Sequence, residues 1–185
     1  MSQPTALFAF DGPQRIAAGA YVDVTCKVST YLQERPQAQV LIFNADTGKQ
    51  VDLDLRGGPD EIRARADAAA DYGPGKAGKG RPKLGVTAKE VTLLPRHWDW
   101  LAVQPGGASV TLRKLVERAS KDPDAPEQRQ ARASAAYNFM HAVAGDLPGF
   151  EEASRQLFAG NLAGVAAVVT SWPGDIGEQV LLIAG

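Results

Sequence analysis

The sequence predicts an α+β protein with a small N-terminal β-β-α-β-β unit, a central strand-helix-helix and a run of short C-terminal helices. Three observations predict it. Short apolar or alternating runs occupy 6–10, 40–43, 51–55 and 86–94. Helical spacing of apolar residues occupies 20–34 and 112–119, and the chain beyond 127 reads as helices stopped at Gly145 and Gly160. Nineteen glycines and twelve prolines cut these runs into short elements.

Ala6 to Phe10 is an apolar run closed by the turn signal Asp11-Gly12-Pro13. Arg15 to Ala18 returns as a second strand, and Gly19 closes it. Tyr21, Val24, Val28, Tyr31 and Leu32 share one face of a helix that Pro36 stops. Val40 to Phe43 reads as a strand, and Asp46-Thr47-Gly48 as a hairpin turn with glycine at hand for positive φ. Val51, Leu53 and Leu55 alternate with Asp52, Asp54 and Arg56, the period of a half-buried strand. Glu61 to Ala70 follows as a short helix, and Tyr72 to Pro82 as a Gly/Pro linker.

The central unit starts with Val86–Leu94, in which Lys89, Val91 and Leu93 point one way and Ala88, Glu90, Thr92 and Leu94 the other. Pro95 opens a helix whose apolar face is Trp98 and Leu101, and Pro105-Gly106-Gly107 ends it. Ser109 is placed to cap a second helix carrying the stripe Leu112, Leu115, Val116 and Ala119. After a break at 121–126, helices are expected at 127–144, 149–159, 161–169 and 175–184, the third capped by Asn161. The segments are thus 1–70, a basic linker 71–82, a central unit 83–121, and a helical tail 122–185.

Charge is segregated. The net charge is −1. Residues 1–75 carry seven Lys/Arg against ten Asp/Glu, residues 76–121 ten against three, and residues 122–185 three against eight. A basic block between acidic flanks fits a nucleic-acid footprint, or neutralisation by the acidic parts of the same or another chain. No apolar run reaches the roughly 20 residues that span a bilayer, and the first residues lack a cationic and apolar leader, so a cytoplasmic location is expected. Cys26, the one cysteine, excludes an intrachain disulfide.

Residues 83–120, read as KLGVTAKEVTLLPRHWDWLAVQPGGASVTLRKLVERAS, resemble one half of the ribbon-helix-helix family. The correspondence runs through a strand (Val86–Leu94), a helix (Pro95–Val103), the turn Gly107-Ala108-Ser109 and a second helix (Val110–Ala119). The resemblance implies a homodimer with an antiparallel ribbon in the DNA major groove. It implies base-facing positions at Ala88, Glu90 and Thr92, and a phosphate on the amides beside Ser109. Glu90 departs from the family pattern, which places a basic or amide-bearing residue on this face, and Lys89 falls on the core side. Across most of residues 6–184 the chain also resembles a bacterial family catalogued as a domain of unknown function, which implies a shared architecture and no particular activity.

The leading expectation is a homodimeric DNA-binding protein, a transcriptional regulator, with Lys76, Lys79, Arg81, Lys83, Arg96, Ser109, Arg113 and Lys114 as phosphate contacts. The alternative is an interaction protein that uses the same unit only to dimerise. Either leaves the flanking parts to meet a protein partner or a small-molecule effector. A third reading is an enzyme using Asp52 and Asp54 on one strand face. His97, His141 and Cys26 form no set with zinc spacing, no G-x-S-x-G or G-K-[ST] is present, and neither a metal nor a cofactor is expected.

Overall fold

The computed structural model describes residues 6–58, 60–65, 89–122 and 125–185. The chain divides into two compact units, Met1–Gly73 with Arg129–Gly185, and Pro74–Gln128.

In the first unit, β1 (Ala6–Asp11), β2 (Gln14–Ala20) and β3 (Val40–Asn44) form an antiparallel sheet in the order β2-β1-β3. The central strand β1 is covered on both faces, which explains why it reads as a continuous apolar run rather than an alternation. Leu7 and Ala9 face one way and join Ile42, Val24 and Val28 in a cluster under α1 (Tyr21–Glu34). Phe8 and Phe10 face the other way and join Phe43 in the larger core. The register shifts between Ala9 and Phe10, so Ile16 has no opposite partner on β1.

The larger core is completed by four helices: α4 (Pro126–Ala144), α5 (Phe150–Phe158), α6 (Leu162–Val169) and α7 (Ile176–Ala184). Phe139 of α4 is its hub. Its ring lies 5.3 Å from Phe8, 5.1 Å from Phe10 and 5.1 Å from Phe43, edge-on or tilted to each. Phe8 and Phe43 stack at 5.4 Å across the strand pair. Each such aromatic pair contributes roughly 0.5–1.5 kcal/mol beyond area burial. From Arg129 onward, the segment read from sequence as a helical tail is therefore the second half of this core. The physical reason is that β1 and β3 have an aromatic face too large to leave in water.

Two further joints tie the halves together. Gly48 (φ 62°) turns the chain directly under α4, where a Cβ would overlap the Ala135 carbonyl, and Asn138 donates to the Thr47 carbonyl at 2.9 Å. The β1–β2 turn docks on the start of α7: the Asp175 amide donates to the Pro13 carbonyl at 2.9 Å, and the Asp175 carboxylate accepts from the Arg15 amide at 2.8 Å.

The strand expected at 51–55 is not formed, so the first unit is β-β-α-β rather than β-β-α-β-β. The chain leaves β3 with a bridge between Phe43 and Gln50 and a bond from the Val51 amide to the Ile42 carbonyl, and the ladder then stops. Side chains supply the partners instead. The Asp54 carboxylate accepts the Arg56 amide, and the Arg65 guanidinium donates to the Asp54 and Arg56 carbonyls. Val51, Leu53 and Leu55 keep their half-buried alternation against the α1 cluster without a ladder. Residues 60–65 are helical; 66–70 and the linker expected at 72–82 lie outside the described residues.

The second unit contains α2 (Pro95–Ala102), with proline in its first turn, and α3 (Gly107–Lys121). Of the strand expected at Val86–Leu94, residues 86–88 lie outside the described residues and 89–94 are irregular. Leu94 is extended (φ −66°, ψ 150°). Among the described residues no strand pairs with 89–94, and strand hydrogen bonds need a neighbour.

Replacing Phe139 by alanine is expected to cost about 3–5 kcal/mol in a urea melt, and to unfold β1–β3 and α4–α7 in one transition. Gly48→Ala is expected to destabilise more than Gly12→Ala. Both positions have positive φ, but only Gly48 faces a backbone wall; Gly12 has open space around it. Thermal melts of the two variants give the comparison.

Candidate interaction surface

Helices α2 and α3 pack together around little of their own. Leu101 is buried, and Leu93 and Leu112 are half-buried. No residue of α3 is fully buried. The stripe expected on that helix exists at 100° per residue, but it lies open: Val116 is 65% exposed, and Leu115 and Ala119 are also exposed. Val91, Leu94, Trp98, Trp100 and Val103 (78%) extend the exposed apolar surface through the rest of the segment. Trp98, expected in the core with Leu101, is exposed like Trp100. An eight-residue helix beside a fifteen-residue one has too few neighbours to enclose an indole.

The turn between the helices differs from the sequence expectation. Gly106 (φ 88°) and Gly107 (φ 73°) both take positive φ, so α3 begins at Gly107 with Gly106 as its N-cap. Ser109 therefore lies inside the first turn and not at the cap. Its carbonyl accepts from the Arg113 Nε at 3.1 Å. Two consecutive glycines turn the chain earlier than the serine needs to. Gly107 and Ala108 are half-buried and Ser109 is exposed.

The opposite side of α3 is basic. Lys114, Arg118 and Lys121 fall within about 60° of one another on the helix, and all three are exposed. Lys121 pairs with Glu117 one turn earlier at 2.6 Å, which holds the Glu117 carboxyl below its ordinary range. Arg118 was not among the expected phosphate contacts; the 114/118/121 spacing carries the signal that would have found it. Arg96 and Arg113, which were expected, are exposed, as are Glu90 and Thr92. Ala88, Lys76, Lys79, Arg81 and Lys83 lie outside the described residues.

The carboxylates considered for acid–base chemistry are differently placed. Both Arg56 nitrogens that reach Asp54 donate to its two oxygens at 2.8 Å, and Arg65 stands 3.9 Å away. The Arg56 side-chain bonds first, and then its amide, hold the Asp54 carboxyl well below the usual carboxylate range. The Arg56 bonds favour the charged form of this carboxylate. Asp52 is exposed and has no place in this network. His97 and His141 are exposed, Cys26 is half-buried, and no group of three or more metal-ligating side chains converges among the described residues. No described helix is long and apolar enough to cross a membrane.

Residues 6–184 match the model of a family described as an uncharacterized protein conserved in bacteria (DUF2239). The chain is a member of the DUF2239 family. The match runs through both units. No curated protein and no solved structure matches this DUF2239 chain.

Because its charged form is favoured in the folded chain, Asp54 contributes stability above the ordinary aspartate pKa, and this is lost as pH falls through the lowered value. The pair is exposed, so the contribution is small. A carbon-detected titration is expected to place the Asp54 midpoint below the usual carboxylate range. Arg56→Gln should move it back up.

Proposed function

We propose that this protein is a non-enzymatic homodimer that binds DNA. In this reading residues 89–122 associate with the same residues of a second copy, and the basic sides of α3 engage phosphates. The observation that carries the reading is the two-sidedness of α3, apolar and exposed on one side and basic on the other. Burying the first side against a twin removes a large apolar surface from water. An interface of ordinary size engages about 20–30 residues a side, close to the length of this segment.

The pairing would also give the irregular 89–94 segment a ladder partner. Two such segments around a two-fold axis make an antiparallel ribbon. Glu90 and Thr92, with Ala88 beyond the described residues, then face the bases. Arg96, Arg113, Lys114 and Arg118 approach the backbone. A transcriptional regulator in the cytoplasm is the role this arrangement fits.

The second reading is dimerisation without DNA. Glu90 favours it, because a carboxylate on the ribbon face repels phosphates, and Lys121 is already satisfied by Glu117.

Light scattering is expected to give twice the chain mass, and Val116→Glu the single-chain mass with the first unit's melting unchanged. A stable monomer at micromolar concentration refutes both readings. For DNA, log affinity for duplex fragments should fall with log salt at a slope of about −0.9 per neutralised phosphate. Lys114→Glu with Arg118→Glu should abolish retardation while leaving the dimer intact. A dimer that retards no duplex at low salt leaves only the second reading. Glu90→Arg separates the two independently, by strengthening non-specific binding on a DNA face and by lowering stability on a packed one.

A further inference from the structure

We propose that a cleft at the end of the sheet in the first unit binds a small organic cation with an apolar body, its charge received by Asp11. The proposal is independent of residues 89–122 and of whether the protein binds DNA.

The cleft has a volume of about 710 Å³, within the roughly 300–1,000 Å³ typical of small-ligand sites. It opens where β1 leaves the sheet and β3 begins. Leu41, Val143, Leu147 and Ile176 give it apolar walls, and Gln37 and Gln39 stand at its rim. The walls are held in place before any ligand arrives. The β1–β2 turn is bonded to the start of α7 through Pro13, Arg15 and Asp175. Gly174 (φ 59°) lies against Pro13 so closely that a Cβ would strike the Pro13 carbonyl. Sites built on strands and locked turns hold their geometry better than sites on loose loops.

Asp11 is the only charged residue lining the cleft among the described residues. It is the last residue of β1 and pairs in the ladder with Gln14 and Val40. The Tyr31 hydroxyl donates to its Oδ2 at 2.9 Å. Its Oδ1 has no hydrogen-bond partner among the described residues. A half-buried carboxylate with one oxygen fixed and the other open, above apolar walls, is a receptor for a donor bearing positive charge. The end of α4 adds to this, because Ala142 and Val143 lie in its last turn, where the helix dipole is negative. The start of α7, whose dipole is positive, has the Asp175 carboxylate beside it.

The nearby cations do not fill the site. Arg15 is engaged by Gln179 and Glu178. Arg35 lies over the Tyr31 ring at 4.6 Å and does not line the cleft. A hard metal ion is a poor fit, since calcium and magnesium require about six oxygen ligands and the walls here are hydrocarbon. An anion meets a carboxylate and no basic group. An ammonium or guanidinium on a compact hydrocarbon frame matches every wall.

The test uses the full chain, with amide chemical shifts followed by NMR at neutral pH. Cyclohexylmethylamine, an ammonium on a six-carbon ring, should produce saturable shifts at Gly12, Ala38 and Val143. Cyclohexylmethanol, of the same shape without charge, should bind at least about tenfold more weakly, a loss of about 1.4 kcal/mol. Asp11→Asn should remove the difference between the two probes. Val143→Trp, which fills the cleft and leaves Asp11 untouched, should abolish both; it decides the matter if Asp11→Asn fails to fold. Absence of saturable shifts in the millimolar range overturns the proposal. So does equal affinity for amine and alcohol, or amine binding unaffected by Asp11→Asn and Val143→Trp. Tighter binding of Nα-acetyl-lysine amide than of the cyclic amine overturns the small-molecule assignment.

Discussion

The ring of Phe139 holds the first unit together. It is inserted among Phe8, Phe10 and Phe43, which belong to the first forty-odd residues, while Phe139 itself comes more than ninety residues later. A three-stranded sheet with one face covered by α1 would leave three phenylalanines in water. Covering that face is the condition for the sheet to exist, and α4 to α7 meet it. The close approach of Gly48 to Ala135, and the docking of the β1–β2 turn on α7, follow from this contact, since each requires the C-terminal helices already in place.

The second unit presents the contrasting case. Its two helices are amphipathic, but the apolar side of α3 is exposed: Leu115 and Val116 lie open. In the proposed dimer, the same hydrophobic term that closes the first unit within one chain would act between two chains. Basic residues on the opposite side of α3 would stay in solvent when the apolar side is buried. In the proposed reading, that separation of faces would let one short helix serve assembly and charge presentation at once.

Much of the secondary structure was legible. The helix at 21–34 follows from apolar spacing and the stop at Pro36, and those at 126–144, 150–158, 162–169 and 176–184 were expected from the stops at Gly145 and Gly160 and the cap at Asn161. Asn161 caps α6 as its position suggested, accepting from the Gly164 amide at 3.1 Å. The failures have physical causes. Val51 to Leu55 alternates like a strand and packs like one, yet the Asp54 carboxylate accepts the Arg56 amide and Arg65 donates to the Asp54 and Arg56 carbonyls, so these backbone groups do not continue a ladder. Ser109 has the chemistry of a cap, but Gly106 and Gly107 turn the chain first. Trp98 has the spacing of a core residue in a unit with too little core. In the candidate surface, Arg96, Arg113 and Lys114 were readable as exposed cations, and Arg118 was overlooked although its spacing marks it.

The amino-acid order by itself determined the local elements, their boundaries at glycine and proline, and the separation of basic and acidic segments. These depend on neighbours within a few residues, where propensity and periodicity act. Tertiary structure alone decided that the C-terminal helices share a core with the N-terminal sheet, that Asp54 is a paired anion, and that Asp11 and Tyr31 meet at the mouth of a cleft with Val143 and Ile176. The first and last of these join residues tens to more than a hundred positions apart, and the burial that brings them together leaves no periodic trace along the chain, whereas Asp54 meets Arg56 two residues on and Arg65 eleven on.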